Sequence, residues 1–247
     1  MKKKTETTNG SEPAREDDVA VAEREFSPSS DEVKTDTGTC CNAADGAKPR
    51  KPRGRPLSFD RDAALETAMH VFWERGYEAA SIADLTSAMG ITPPSLYTAF
   101  GDKEHLFLET IERYALNFGS AGTRALREET TARGAIERWL LESARELTEP
   151  CHPKGCMVVM AATNCSAAAE RVQDALLLRR TEALADVRRR IQGDIDMGQL
   201  PADTDAAELA SFYGAVYQGM SMQAKDGATR DGLLRTVKTA MRAWPAE

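Results

Sequence analysis

The chain of 247 residues lacks any run of apolar residues long enough to span a membrane. It begins with Lys2, Lys3 and Lys4, but no apolar stretch follows them, which predicts that there is no secretory signal peptide. Cysteine is scarce, and the five cysteines are an odd number at spacings that do not match a disulfide framework. These absences lead us to expect a cytoplasmic protein with reduced thiols and no membrane contact.

The sequence also lacks the motifs by which many enzymes are identified. It contains no glycine-rich phosphate loop, no nucleophile elbow and no HExxH metal motif, and its three histidines are scattered. Cys151 and His152 are neighbours, but adjacent side chains on a helix or turn point apart, which is poor geometry for a thiol and its base. We therefore expect no catalytic residue and no cofactor. A helical enzyme or an interaction module is the alternative from another class.

Strand patterns are missing as well, because no segment alternates apolar and polar residues over a run rich in β-branched side chains. The sequence therefore predicts an all-α protein. Residues 1–49 are rich in small polar and charged residues and contain hardly any large apolar side chain, so we expect a disordered tail there. Residues 50–105 are predicted to be a basic arm with a helix-turn-helix unit, and residues 106–247 a second helical domain.

Capping signals delimit the first two helices of residues 50–105. Asp60 is a suitable N-cap for a helix that Gly76 should end. Ser81 should cap the second helix, with Asp84 bonding back to it in a shortened capping box, and Gly90 should end that helix. Two short helices that end at glycine are typical of the part of a helix-turn-helix unit that precedes the recognition helix.

The third helix should begin at Thr92 and end at Gly101, with Leu96 and Phe100 facing inward. Its first turn carries two prolines between two hydroxyl residues, and the first residues of a recognition helix are the ones that approach base edges. Tyr97 is predicted to be exposed and to bond a phosphate, with a core aromatic as its alternative role. The helix that Asp102 caps begins with Lys103, which is placed to bind another phosphate.

A basic segment precedes these helices in a chain whose net charge is −7. Residues 50–56 hold four basic residues and no acid, whereas residues 1–49 hold seven basic and eleven acidic residues. Arg53 and Arg55 flank Gly54 between two prolines, so this strip should be extended and narrow enough to enter an A·T-rich minor groove. Its alternative role is a solvated linker.

Five segments together have the glycines, hydroxyls and aromatic residues of one known family at its spacing. They are Arg53-Gly54-Arg55-Pro56, Ala68-x3-Phe72-x3-Gly76-Tyr77, Ser81-Ile82-Ala83-Asp84-Leu85, Met89-Gly90-Ile91-Thr92 and Ser95-Leu96-Tyr97-x2-Phe100-Gly101-Asp102-Lys103-Glu104-x-Leu106. Through these motifs, residues 53–108 resemble the TetR family of repressors.

The resemblance implies a homodimer whose two helix-turn-helix units enter successive major grooves of a palindromic double-stranded DNA operator. It also implies a C-terminal helical domain in which a small-molecule effector changes the separation of the two units and releases a repressor from DNA. The expected DNA contacts, besides Arg53 and Arg55, are Ser81, Thr92, Pro93, Pro94, Ser95, Tyr97 and Lys103.

One position departs from the family pattern. The residue after Thr92 is often basic in the family and is Pro93 here, followed by Pro94 where a small residue is usual. Base preference therefore does not carry over, and we expect fewer phosphate contacts from this helix. Residues 59–105 hold three basic and eight acidic residues, so binding should depend strongly on the basic arm.

The second domain shows apolar stripes but no further motif. One stripe consists of Ile136, Trp139, Leu140 and Leu147, and another of Val172, Leu176, Leu177, Leu184, Val187 and Ile191. We interpret the arginines at 179, 180, 188, 189 and 190 as a solvated face opposite the second stripe, paired with nearby acids. Ala206–Ala224 is rich in small residues, and the last helix has an apolar face. These two helices fit the family's dimer interface, and packing within one subunit is the alternative.

An effector pocket should form between the helices of this domain. The candidate ligand contacts are Trp139, Met157, Met160, Asn164, Phe212, Tyr213 and Tyr217. Three cysteines offer an alternative, a thiol or redox-responsive regulator that uses Cys151, Cys156 or Cys165. We expect no metal site, because no second Cys or His pair completes a zinc set. We favour buried, unreactive cysteines.

Overall fold

A computed structural model describes residues 59–118, 120–162, 165–166 and 169–245. Regular structure in these ranges is entirely helical, which confirms the predicted all-α class. No helix in the described ranges is long and apolar enough to cross a membrane. The elements are α1 (Arg61–Ala79), α2 (Ile82–Met89), α3 (Pro93–Phe100), α4 (Lys103–Asn117), α5 (Ser120–Glu128), α6 (Ala132–Glu146), α7 (Met157–Ala162), α8 (Glu170–Asp196), α9 (Ala206–Lys225), α10 (Arg230–Ala240) and a 3₁₀ turn (Met241–Ala243).

The first two helices begin where the sequence predicts. The Asp60 carboxylate accepts hydrogen bonds from the backbone N–H groups of residues 62 and 63, and Ser81 and Asp84 form the reciprocal capping box. Gly76 interrupts α1 with a φ of +79°, as predicted for the end of the first helix, and a short helical turn to Ala79 follows this kink. Gly90 closes α2 in the left-handed conformation.

Helix α3 is fixed from its inner side. Leu96 and Phe100 are buried, as predicted. Arg61 of α1 donates to both carboxylate oxygens of Glu109 at 2.8 Å and to the Ala99 carbonyl at 3.2 Å, and its guanidinium lies 4.4 Å from the Phe100 ring centroid. Arg61 therefore ties α1 and α4 to the end of α3, a role that the sequence argument did not assign to it.

Helix α8 differs from its predicted pattern in two places. Leu177 was expected in the buried stripe but is 56% exposed, because it lies one residue beyond the buried position Leu176. Arg180, predicted on the solvated face, is half-buried and lies in the wall of a cavity that is partly open to solvent. The acids at 182 and 186 do pair with arginines, Glu182 with Arg179 at 3.4 Å and Asp186 with Arg189.

The apolar face of the last helix packs within its own subunit, which is the alternative that the sequence analysis gives for it. Leu233 and Val237 of α10 are buried, and Trp244 lies 5.6 Å from Tyr213 of α9 between ring centroids. The Tyr213 hydroxyl also donates to the Ala240 carbonyl at 3.4 Å. An apolar face in the sequence indicates burial, but it does not tell which surface covers it.

Candidate nucleic-acid interface

The first turn of α3 lies at the surface. Thr92, Pro93 and Pro94 are exposed, and the Thr92 hydroxyl caps the helix by accepting from the Ser95 backbone N–H at 3.4 Å. The side-chain oxygens of Thr92 and Ser95 lie 3.0 Å apart, so the two hydroxyls share a hydrogen bond. This turn presents two rigid rings and two hydroxyls to solvent, which suits contact with base edges and thymine methyl groups.

Tyr97 lies on the same exposed side of α3. Its side chain is 51% exposed, so its alternative role as a core aromatic is wrong. The neighbouring positions Leu96 and Phe100 hold the inner side of the helix against the core. The Tyr97 hydroxyl is therefore free of burial and available as a donor to a phosphate beside the groove.

Ser81 lies at the exposed start of α2, but its hydroxyl is already engaged. It donates to the Asp84 carboxylate at 2.5 Å and accepts from the Asp84 backbone N–H at 3.1 Å. These bonds, together with Arg75 at 2.6 Å, lower the pKa of Asp84 to about 2. Arg75, which the sequence analysis does not name, is the basic residue that pairs with Asp84 at the start of α2. The Ser81 hydroxyl already donates its hydrogen bond within the capping box.

Lys103 is less free than the sequence suggests. Its ammonium lies 4.4 Å from the Tyr77 ring centroid and donates to the Glu78 carbonyl at 3.4 Å. Partial burial lowers the pKa of Lys103, while the charge of Glu78 opposes this shift. The contact with the Tyr77 ring restricts the conformations of the Lys103 side chain. A phosphate that binds Lys103 would therefore lie near the first turn of α4.

The two arginines of the basic arm, Arg53 and Arg55, lie outside the described residues. Within the described helix-turn-helix unit (α1–α3) and the first turn of α4, each basic side chain has an acidic or aromatic neighbour. Arg61 pairs with Glu109, Arg75 with Asp84, and Lys103 packs on Tyr77. This arrangement agrees with the expectation that a polyanion must be attracted largely by the arm.

Trp73 of α1 joins the helix-turn-helix unit to the rest of the molecule. Its indole N–H donates to the Gly155 carbonyl at 2.9 Å, and its ring stacks on His152 with centroids 4.5 Å apart. Tyr114 meets the same indole edge-on at 4.8 Å. Residues 151–156 (the bridging loop) are therefore in direct contact with α1 through buried and partly buried side chains.

The bridging loop is also bound to α9. The Cys156 backbone N–H donates to the Ser221 hydroxyl at 2.8 Å. Gly155 has a φ of +82°, and a Cβ added there would lie 3.0 Å from the Ser221 carbonyl oxygen. Glycine is therefore required here both for the backbone conformation and for the close approach to α9.

We expect Gly155→Ala to lower the free energy of unfolding by about 1–3 kcal/mol, since alanine adds left-handed strain and a clash with a carbonyl. Urea unfolding measures the change. Gly193→Ala is the control, because Gly193 lies inside α8 with its nearest side-chain atom 3.9 Å from a built Cβ. That variant should be neutral or gain up to about 1 kcal/mol. Equal stability of the two variants would contradict the role of Gly155.

The predicted ligand contacts separate into two groups. Trp139 and Tyr217 line the cavity, with ring centroids 5.3 Å apart. The others lie elsewhere: Phe212 is 40% exposed on the outer side of α9, while Tyr213 and Met157 are buried in the core. Met160 lies against Gly155, and Asn164 is outside the described residues. The wall also contains Tyr114 and Arg180, which the sequence analysis does not name as candidates, and Cys156, which it names only as a possible redox-responsive thiol.

The three cysteines of this region have different surroundings. Cys151 is exposed, Cys156 is buried in the cavity wall, and Cys165 is partly exposed, each as a free thiol. Burial and the charge of Glu78 raise the pKa of Cys165, which opposes a reactive thiolate. Within the described ranges, no group of three His, Cys, Asp or Glu side chains is placed to hold a metal ion.

Two family descriptions match this chain. Residues 64–110 match the bacterial regulatory proteins of the tetR family, and residues 133–243 match the tetracyclin repressor-like C-terminal domain. The first match contains α2 and α3 with the exposed turn at Thr92, and the second contains most of the cavity wall.

Individual relatives agree with both descriptions. The chain is 34% identical over 197 residues to the HTH-type transcriptional repressor ComR of Escherichia coli K12, covering 79% of this chain and 94% of ComR. It is 30% identical over 191 residues to the regulator YezE of Bacillus subtilis, covering 73% of this chain and 93% of YezE.

A solved structure is similar over the same range. It is a cysteine-substituted variant of the TetR family regulator CifR in complex with 26-bp double-strand operator DNA. The identity is 47% and the TM-score 0.75, with 78% of this chain and 100% of that chain covered. These relatives are regulators of transcription, which confirms that the chain is not an enzyme. The chain belongs to the TetR family of bacterial transcriptional regulators.

Proposed function

We propose that this regulator binds a palindromic operator as a homodimer, represses transcription there, and is released when a small molecule enters its cavity. The observation that carries the proposal is the solvent-facing turn of α3, with Thr92, Pro93, Pro94 and Tyr97 exposed above a buried inner side. Repression is supported by the name of ComR, and operator binding by the DNA complex of CifR.

A dimer surface is supported by exposed apolar side chains on α9. Phe212, Ala215, Gly219 and Met222 follow one another at helical spacing, and all four are exposed. A Cβ built at Gly219 meets no atom within 4 Å, so a partner helix has room to approach closely. Soluble monomers rarely leave such a stripe uncovered, which favours a two-fold contact through it (the α9 face).

Helix α8 extends this surface. Leu177 and Leu178 are 56% and 57% exposed, and α8 packs beside α9. The proposed interface therefore combines α8 with the α9 face, in place of the last helix that the sequence argument favoured. Two-fold symmetry would set the two copies of α3 at the separation that successive major grooves require.

The proposed release mechanism uses the contacts of the bridging loop. Cys156 stands in the cavity wall, and the residue before it accepts the Trp73 indole bond. A ligand that displaces this loop shifts α1, on which α3 is held by Arg61. Because an effector can change DNA affinity only through different binding to two conformations, this loop is the element that must have two positions.

We expect the double variant Arg53→Ala with Arg55→Ala to bind a palindromic fragment of its own promoter region more weakly at every sequence tested. Two lost phosphate or groove contacts should reduce the slope of log affinity against log salt by about 2. Electrophoretic mobility shifts at several salt concentrations measure both quantities.

The matched control removes the same charge elsewhere. Arg145→Ala with Arg235→Ala takes two exposed arginines from α6 and α10, and its affinity and salt slope should stay near those of the unmodified protein. Absence of a shift on any genomic fragment at low salt would overturn the proposed operator binding. Equal losses in both double variants would overturn the special role of the arm.

A further inference from the structure

A cavity of about 420 Å³ lies between α4, α5, α6, α8 and α9, in the part of the chain that is described. Proteins bind small molecules in cavities of about 300–1,000 Å³, so this size is sufficient for a ligand. The wall is largely apolar, with side chains from each of these helices and from α7. Its larger apolar members are Leu116, Leu126, Trp139, Val158, Leu184 and Val187. Most of a bound molecule must therefore be apolar.

One cation interrupts this apolar wall. Arg180 follows Leu176 by four residues and precedes Leu184 by four, so it leaves α8 on the inner face. Its Nη1 atom is buried and has no hydrogen-bond partner among the described residues. A buried donor on a charged group costs free energy until it finds an acceptor, so this atom points to a ligand group that supplies one.

The acidic side chains at the cavity already have cations of their own. Glu182 pairs with Arg179 at 3.4 Å, and Asp186 pairs with Arg189. Arg179 also pairs with Glu112, so each of these two wall acids has an arginine other than Arg180 within ion-pair distance. Arg180 has no ion pair of this kind within the described ranges, which leaves one positive charge of the wall without a counter-ion.

The remaining polar side chains of the wall are Tyr114, Tyr217, Cys156 and Gln218. The hydroxyls of Tyr114 and Tyr217 are hydrogen-bonded with the Cys156 thiol, and burial raises the pKa of both tyrosines well above its usual value. Neutral hydroxyls supply donors to a ligand oxygen but no negative charge. None of these side chains forms a hydrogen bond with the buried Nη1 atom of Arg180, so a ligand in the cavity is left to supply its acceptor.

We propose that the cavity binds a molecule with an apolar body and a single carboxylate, and that Arg180 pairs with this carboxylate. A guanidinium and a carboxylate match in shape and form short, charge-assisted hydrogen bonds. The inference rests on the proposed effector function, because it names the chemical class of the effector. It is tested by direct binding, which needs no DNA.

The probes are decanoate and 2-naphthoate, each compared with its alcohol, 1-decanol and 2-naphthalenemethanol. Binding is followed by the fluorescence of Trp139 in the cavity wall, assigned with Trp139→Phe. The unmodified protein should bind at least one carboxylate about tenfold or more tighter than its alcohol. Arg180→Met should weaken carboxylate binding by about 10- to 100-fold and leave the alcohols unchanged.

Two further variants keep the test decisive. Arg180→Lys retains the charge and should preserve most of the preference for carboxylates, also if Arg180→Met folds poorly. Arg188→Met removes an exposed arginine from the same helix and should leave all four probes unaffected. The inference is overturned if no carboxylate binds, if each alcohol binds as well as its acid, or if Arg180→Met and Arg188→Met behave alike.

Operator release is measured separately, by adding a bound carboxylate to the protein–DNA complex. Binding that depends on Arg180 without release would support the carboxylate site and overturn the effector function. If a carboxylate also releases the Arg180→Met variant from the operator, the effector function is supported and the carboxylate site at Arg180 is overturned. The two proposals therefore fail in distinguishable ways.

Discussion

Gly219→Arg is expected to convert the proposed dimer into a folded monomer and to weaken operator binding by about 100-fold or more. Gly219 lies in the middle of the α9 face, and nothing within its own subunit occupies the space beside it. Two-fold symmetry would place two added guanidinium groups together in an apolar contact, where charge without a partner is costly. A monomer binds only one half-site and loses the gain from joining two units.

The oligomeric state is measured by analytical ultracentrifugation, and the operator affinity by mobility shift. Circular dichroism must show unchanged helix content, because a misfolded chain would also fail to bind DNA. Thr239→Arg is the control, since it adds the same charge at an exposed position of α10 and should leave both the dimer and the affinity intact. A Gly219→Arg protein that sediments as a dimer would contradict the proposed interface.

The helix-turn-helix unit was largely predictable because its signals are local. Asp60, Ser81 with Asp84, and Thr92 cap their helices through bonds to residues two or three positions away. Such bonds depend on short sequence patterns and not on the remainder of the fold. The family resemblance of residues 53–108 extended the same information to function, and the comparisons confirm it.

The inward placement of Arg180 can be derived from the spacing of residues in α8, although the sequence analysis places Arg180 on the solvated face. Arg179 and Arg180 were grouped with the arginines at 188–190 as one charged face, although adjacent residues on a helix point about 100° apart. Counting four residues from Leu176 and four from Leu184 puts Arg180 in the buried stripe. Spacing along the helix would have separated it from Arg179.

Contacts between distant elements could not be derived from the sequence. The Trp73 indole bonds to a carbonyl 82 residues further along the chain, and no local pattern predicts this pairing. The same limit explains the dimer prediction: the apolar faces of α9 and α10 resemble each other in sequence, yet the second is covered by its own subunit. What buries an apolar face depends on the relative placement of helices.

The second large effect is expected from Glu146→Gln, which should stabilise the protein much more at pH 8 than at pH 5. Burial and the charge of Glu142, one turn earlier in α6, raise the pKa of Glu146 to about 7. An unfolded glutamate ionises near pH 4.3, so the folded state holds this proton more tightly than the unfolded state does. Its contribution to stability therefore falls as the pH rises from about 4.5 to about 7 and stays low above that range.

Glutamine is close in shape to the protonated acid and never ionises, so the variant should gain only about 1 kcal/mol at pH 5, where the unfolded glutamate is already largely ionised. At pH 8 the variant should be more stable by about 3 kcal/mol, from 1.36 kcal/mol for each unit of pKa difference. Urea unfolding at one protein concentration measures this difference, since dimer stability depends on concentration. Glu149→Gln, at an exposed position just beyond α6, should change little at either pH.

A gain for Glu146→Gln that is the same at pH 5 and pH 8 would show that Glu146 does not carry a proton at neutral pH. The effect should also be local to the cavity. The charge of Glu146 raises the pKa of Tyr114 and Tyr217, so the acid stands close to the wall that these tyrosines form. Burial beside this wall favours the protonated form of Glu146, so its ionisation at pH 8 lowers the stability of the folded protein. Glutamine cannot ionise and therefore avoids this loss.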